Sequence, residues 1–188
     1  MNHPLRRHIE KIAPLSDEEF AYILSHFAPK RLRKHQFLIQ ETTPVTHEFF
    51  VVKGCLRAYN MDKTGKEHIL QFALEDWWIS DYLAFVNQTP ASLSIDCLEA
   101  CELLGLSLHN NEKLCSEMHK LEHFFRVKLT ANMVAMQQRI LTYLNQTTQE
   151  RYDNLMALYP QLFQRVPKQH IAAYLGVSRE TLSRLRPS

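Results

Sequence analysis

The chain has 188 residues, of which 45% are hydrophobic and 22% charged, a composition that supports a buried core and argues against global disorder. No window approaches 18 uncharged apolar residues, so no membrane span is expected. The opening Met1-Asn2-His3-Pro4-Leu5-Arg6-Arg7 lacks the apolar run of a secretory signal, which points to a cytoplasmic protein. Net charge is only +2, but residues 161–188 hold Arg165, Lys168, Arg179, Arg184 and Arg186 against Glu180 alone, a balance of 5 − 1 = +4 that leaves −2 for the rest and implies a polyanion met by the tail.

In chain order, residues 4–28 read as helical. Ser16-Asp17-Glu18-Glu19 forms a capping box, and Phe20, Ile23, Leu24 and Phe27 then share one face. From Lys30 to about Leu106 the pattern changes to short apolar runs, among them Phe49-Phe50-Val51-Val52, Ile69-Leu70-Gln71-Phe72 and Leu103-Leu104-Gly105-Leu106. Lys53-Gly54 and Asp62-Lys63-Thr64-Gly65-Lys66 read as hairpin turns between them, so an antiparallel sandwich or barrel is expected.

Asn110 or Asn111 is the expected cap of the next element. Leu114, Met118, Leu121, Phe125, Leu129, Met133, Met136, Ile140 and Leu144 then recur every three or four residues. A single helix of roughly 45 Å follows from 1.5 Å per residue. Such a helix is either buried on two sides or packed against a second copy of itself, and the width of its apolar face favours the second. The polar run 146–150 marks a boundary. The expected division is a β-roll unit with N-terminal helices (1–109), a dimerisation helix (110–145) and a terminal unit (146–188).

Cys55, Cys97, Cys101 and Cys115 form no CxxC pair. Cys97 and Cys101 are expected to lie far apart, and all four thiols to be idle rather than redox-active or bound to iron–sulfur. Ten histidines invite a metal or haem reading. His119 and His123 have zinc-compatible i, i+4 spacing, but no third ligand lies near in sequence, so neither metal nor cofactor is expected. With four glycines, no phosphate loop and no nucleophile elbow, no catalytic residue is assigned and an enzyme is not expected.

The last twenty residues carry the clearest chemistry. Pro167 opens a short helix in which Ile171, Ala172 and Leu175 face inward, Gly176 turns the chain, and Ser178 caps a second helix running from Arg179 to about Arg186. At about 100° per residue Leu182 and Leu185 share one side, and Arg179, Glu180, Ser183 and Arg184 lie opposite. A recognition helix needs that arrangement, since arginine grips guanine O6 and N7 and a carboxylate accepts from cytosine N4. A solvated helical hairpin has the same spacing.

Gly176-Val177-Ser178-Arg179-Glu180-Thr181-Leu182-Ser183-Arg184 resembles the recognition motif of the Crp/Fnr family of bacterial regulators. Phe49-Phe50-Val51-Val52-Lys53-Gly54-Cys55-Leu56-Arg57 with Gly65-Lys66-Glu67 resembles that family's cyclic-nucleotide-binding β-roll. The resemblance spans nearly the whole chain. It implies an α+β fold: an antiparallel β-roll with flanking helices, a long dimerisation helix and a C-terminal helix-turn-helix, here expected without the complete wing that members of the family usually carry. It also implies a homodimer on palindromic double-stranded promoter DNA that contacts RNA polymerase. By matching position Arg179, Glu180 and Arg184 are the implied base or phosphate contacts, with Ser178 and Thr181 on phosphate; Ser183, Lys168 and Arg186 complete the expected DNA face.

Members that respond to cyclic nucleotides carry a Gly-Glu pair and then an Arg-Ser or Arg-Thr pair, the glutamate for the ribose and the arginine for the cyclic phosphate. Here Ile79-Ser80 stands for the first pair, with Asp81 one register away, and Ala91-Ser92 for the second. Losing the charge-assisted phosphate contact argues against cAMP as effector. Trp77, Trp78, Ser80, Asp81, Tyr82, Ala91 and Ser92 are the expected lining of a pocket for an unknown small molecule. The rival reading is a ligand-sensing or scaffolding homodimer that has lost DNA binding.

Overall fold

A computed structural model describes residues 3–185. Two helices lead the chain. In α1 (Pro4–Glu10) Pro4 occupies the first turn, where its missing N–H costs nothing. α2 (Asp17–Ser25) opens on the expected capping box: Ser16 Oγ accepts from the Glu19 amide, and the Glu19 carboxylate accepts from the Ser16 amide. The helix expected over 4–28 is therefore two helices, separated by a segment containing Pro14, and the chain is already strand at Ala28. Proline lacks the donor a helix interior needs and drives its predecessor out of helical conformation.

Among the described residues, eight strands form two four-stranded antiparallel sheets. The first, in the order β1-β8-β3-β6, joins β1 (Ala28–Leu32), β8 (Cys101–Ser107), β3 (His47–Lys53) and β6 (Trp78–Ile79). The second, in the order β2-β7-β4-β5, joins β2 (Phe37–Ile39), β7 (Ser94–Cys97), β4 (Leu56–Met61) and β5 (Glu67–Ala73). β1 has no apolar alternation; as an edge strand it is held by its ladder to β8, and its proline and basic residues suit an edge.

The Asp62–Lys66 turn does join a hairpin, β4 to β5, with the Asp62 carboxylate accepting from the amides of Thr64 and Lys66. Lys53-Gly54 does not. It carries the chain from β3 in one sheet to β4 in the other. Gly54 sits at φ +116°, and a Cβ there would lie 2.5 Å from Cys101 Sγ, so this corner requires glycine.

The space between the sheets is filled by Val51, Leu56, Ile79, Phe85, Ile95, Leu103 and their neighbours. Cys97 and Cys101 join this core. Contrary to expectation their thiols are neighbours, because the short turn between β7 and β8 brings the strand ends together; the Cys101 thiol and burial push the Cys97 thiol up.

α4 (Leu108–Glu117) is capped by Ser107, whose hydroxyl accepts from the Asn110 amide, rather than by Asn110 or Asn111. Met118 is extended (φ −129°, ψ 98°), so the expected single long helix is two, α4 and the 27-residue α5 (His119–Asn145), about 40 Å long. Leu114, Leu121, Phe124 and Phe125 pack with α1, α2 and the outer side of the first sheet. Beyond them α5 emerges into solvent. A capping box at Thr147 opens α6 (Thr148–Leu158), followed by α7 (Pro160–Arg165), α8 (Lys168–Leu175) and α9 (Arg179–Arg184). These helices share one apolar cluster with Tyr59, Ile69, Phe72 and Leu74 of the second sheet and its margin.

Candidate nucleic-acid interface and effector cassette

The helix-turn-helix is built as its residue types demand. Ile171, Ala172 and Leu175 are buried on α8. Gly176 takes the left-handed conformation at φ +74°, and the ring of Tyr143 on α5 packs against it. Pro167 precedes α8 as its cap residue rather than entering its first turn. Ser178 caps α9 by accepting from the Thr181 amide. Leu182 is buried and Leu185 packs against the same cluster, while Ser178, Arg179, Glu180, Thr181, Ser183 and Arg184 are all exposed. Lys168 is also exposed, and with Pro167, Gln169 and Arg179 it lines a cleft of about 220 Å³ where the N-termini of α8 and α9 approach each other. Hydrogen bonds from its own backbone and from Ser178 hold the Glu180 carboxyl below its ordinary range. Arg186 lies outside the described residues.

Two arginines tie these helices to the second sheet. Arg165, at the end of α7, donates to both oxygens of Glu75 at 2.7 and 2.9 Å and to Glu99. Burial would raise the Glu75 carboxyl, but Arg165 and the Gly54 amide outweigh it and bring it to about 2. Arg57 on β4 grips Asp96 with two bonds (2.8 and 3.0 Å), reaches Glu67, and donates to His170 Nδ1 on α8 at 2.9 Å. That last bond requires the neutral ring. No sequence pattern announced these pairs, since partners such as Arg57 and His170 lie 113 residues apart.

α5 meets the same junction. Arg139 donates to the carbonyls of Ile69 and Leu70 and stacks on Tyr174 of α8, 4.1 Å from its centroid. Further toward its N-terminus α5 carries Lys128, whose ammonium is buried, bonds Glu48 of β3 at 2.8 Å and lies 3.6 Å from the Trp78 ring centroid. Leu129, Met133, Met136, Ile140 and Leu144 form one stripe within about 80° of arc and are 53% to 71% exposed.

The seven residues expected to line a pocket fall into one stretch from just before β6 to just before β7 but face different ways. Trp78 packs among Phe27, Phe50, Phe124 and Phe125; Trp77 meets Tyr159 edge-on; Tyr82 joins the core between the sheets. Ser80 donates to the His47 carbonyl. Asp81, 2% exposed, caps α3 (Tyr82–Asn87), a short helix that sequence patterning missed, by accepting from the Ala84 amide. Its second oxygen accepts from the Ser92 amide at 2.7 Å and the Ser92 hydroxyl at 2.9 Å. Ala91 is buried, exchanging backbone hydrogen bonds with Thr42 and Thr43.

Residues 29–118 match the family model described as "Cyclic nucleotide-binding domain". Over that segment the chain is similar to cyclic nucleotide-binding domains. No curated protein matches the sequence. Among solved structures, the Thermus thermophilus catabolite activator protein is 20% identical over 94% of this chain and 84% of its own, with a TM-score of 0.59. The c-di-GMP-responsive global regulator CLP of Xanthomonas campestris is 13% identical over 90% and 89%, at 0.68, and FixK2 of Bradyrhizobium japonicum 17% over 84% and 81%, at 0.69. The resemblance to the Crp/Fnr regulators is thus met in the fold, from β-roll to terminal helices.

A cyclic nucleotide would bring this domain a phosphate charge and a ribose hydroxyl. From Ile79 to Ser92 the sequence has no lysine or arginine, and its one charged side chain is Asp81. Asp81 is negative, buried and already engaged by Ala84 and Ser92. These residues do not fit a ligand held through its cyclic phosphate.

Proposed function

We propose that the chain is a homodimeric, sequence-specific DNA-binding transcription regulator, with 1–109 as β-roll unit, 110–145 as dimerisation segment and 146–188 as DNA-binding unit. The observation that carries this reading is α9: its leucines are turned into the protein while Arg179, Glu180, Thr181, Ser183 and Arg184 stand free in solvent. The pattern suits a helix lying in the major groove, with arginines on guanine, Glu180 on cytosine and the Ser178–Thr181 turn on phosphate. The cleft at Lys168 and Arg179 adds positive charge where a backbone would pass.

The exposed stripe on α5 supplies the dimer. Five large apolar side chains on one line of a helix match a partner helix carrying the same line, related by a twofold axis. Two recognition helices related in this way read a palindromic site. Promoter binding and contact with RNA polymerase extend the same reading, and no enzymatic role is assigned.

The test is fluorescence anisotropy of the full chain on DNA from upstream of its own coding region. Specific binding that weakens steeply from 50 to 200 mM salt, as release of counterions from several phosphates requires, supports the regulator. Dimerisation with no DNA binding would leave a scaffolding role instead.

A further inference from the structure

The stretch between β6 and β7 is closed on itself, and Asp81 is the reason. A buried carboxylate is costly unless donors converge on it. Here they do: the amide at the start of α3, the Ser92 amide and the Ser92 hydroxyl all point at one side chain, which is 2% exposed. Those donors come from two segments, one at the start of α3 and one eleven residues beyond Asp81. The carboxylate therefore fastens α3 to the loop before β7. Ala91, next to Ser92, then locks that loop to residues 42 and 43 by a reciprocal pair of 2.8 Å backbone bonds. Beneath them Ile79, Ala84, Phe85, Ala91 and Ile95 close into the core between the sheets.

We propose that Asp81 is a built-in anion: it engages the donors of this cassette from within, so that the β-roll holds its closed form with no effector and leaves an incoming phosphate neither donors nor a counter-charge. The consequence is a roll that acts as a fixed platform rather than a cyclic-nucleotide switch. The electrostatics agree. Burial alone would raise the Asp81 carboxyl, but the amides of Ala84 and Ser92, the Ser92 hydroxyl and the Leu93 amide hold it below its ordinary range, so it stays charged at neutral pH and repels a second anion.

The test uses the full chain and no DNA, so its outcome is independent of the regulator reading. Wild-type protein is titrated calorimetrically with cAMP and with cGMP, and amide hydrogen exchange is followed with and without 1 mM of each (a roughly saturating excess for any micromolar site). No binding heat is expected. The amides of Ala84, Ser92 and Leu93 should be protected in ligand-free protein and unchanged by nucleotide. Asp81→Asn keeps the size of the side chain but removes its charge and one acceptor, and should speed exchange at these amides by about tenfold or more while β3 and β8 keep theirs. Should Asp81→Asn not fold, Ser92→Ala removes a single hydroxyl donor and should loosen the same amides less. Micromolar nucleotide binding to wild type, amides that become protected only on adding nucleotide, or wild-type exchange in the folded variants would each overturn the proposal.

Discussion

Arg184 shows what one exposed side chain is asked to do. It lies on the free face of α9, so removing it disturbs no packing. Arg184→Ala should keep the wild-type melting temperature yet lose about 1–3 kcal/mol on the operator and relax preference at one base position; anisotropy against single-base operator variants measures both. Lys128 is the opposite case. Its buried ammonium has one carboxylate partner, Glu48, which also accepts from Asn111. Lys128→Met strands that carboxylate and should cost about 3–5 kcal/mol by urea denaturation, whereas Lys128→Met with Glu48→Gln should recover part of it. His8 titrates. Burial against Phe50 and Phe124 lowers its pKa from 6.5 to about 4, and its Nδ1 has no hydrogen-bond partner among the described residues. The unfolded chain takes up the proton first, so this ring's contribution to stability is complete above pH 6.5 and falls away between there and about pH 4. His8→Met should flatten that part of the stability–pH curve; an unchanged slope would assign the acid sensitivity elsewhere.

Helix α5 does two jobs along one length. Its first turns are core, held by Leu121, Phe124 and Phe125. From Leu129 onward its apolar stripe lies open, 53% to 71% exposed. Apolar periodicity is the same in both parts, which explains why the sequence reads as one stripe; the change from core to open face depends on what lies opposite in space. Placing charge on the open part should cost the monomer little and the dimer much. Met136→Glu with Ile140→Glu should give a folded monomer by sedimentation velocity with weakened DNA binding. A dimer that persists would put the interface on another surface.

Across the whole molecule, the terminal helices are docked on the outer face of the second sheet through an apolar cluster, Arg165 and Arg57. The aim of α9 is therefore tied to the β-roll as well as to α5. Arg165→Met removes a bidentate hold on Glu75 and the bond to Glu99, a loss of about 1–3 kcal/mol for hydrogen bonds to charged groups, and should raise hydrogen exchange in α7 and α8 before the sheets. Acid acts at the same seam. His170 is pushed below its ordinary pKa by burial and by Arg57, with Glu67 and Asp96 opposing and His35 adding to the repulsion. Its protonation, as pH falls below the ordinary histidine range, sets a cation against Arg57 and weakens the docking.

By itself the sequence determined the short apolar runs that make an antiparallel β unit, the box at Ser16, the turn at Asp62, and the α8–Gly176–α9 unit with its polar face. Each is written in residues within a few positions of one another, where backbone preference and periodicity act directly. Only the tertiary structure decided that Gly54 turns a corner between sheets, that Met118 divides the long helix, that Cys97 and Cys101 meet, and that Asp81 faces Ser92 instead of a ligand. Those outcomes depend on which distant segments become neighbours, and local propensity carries no term for a partner that only folding supplies.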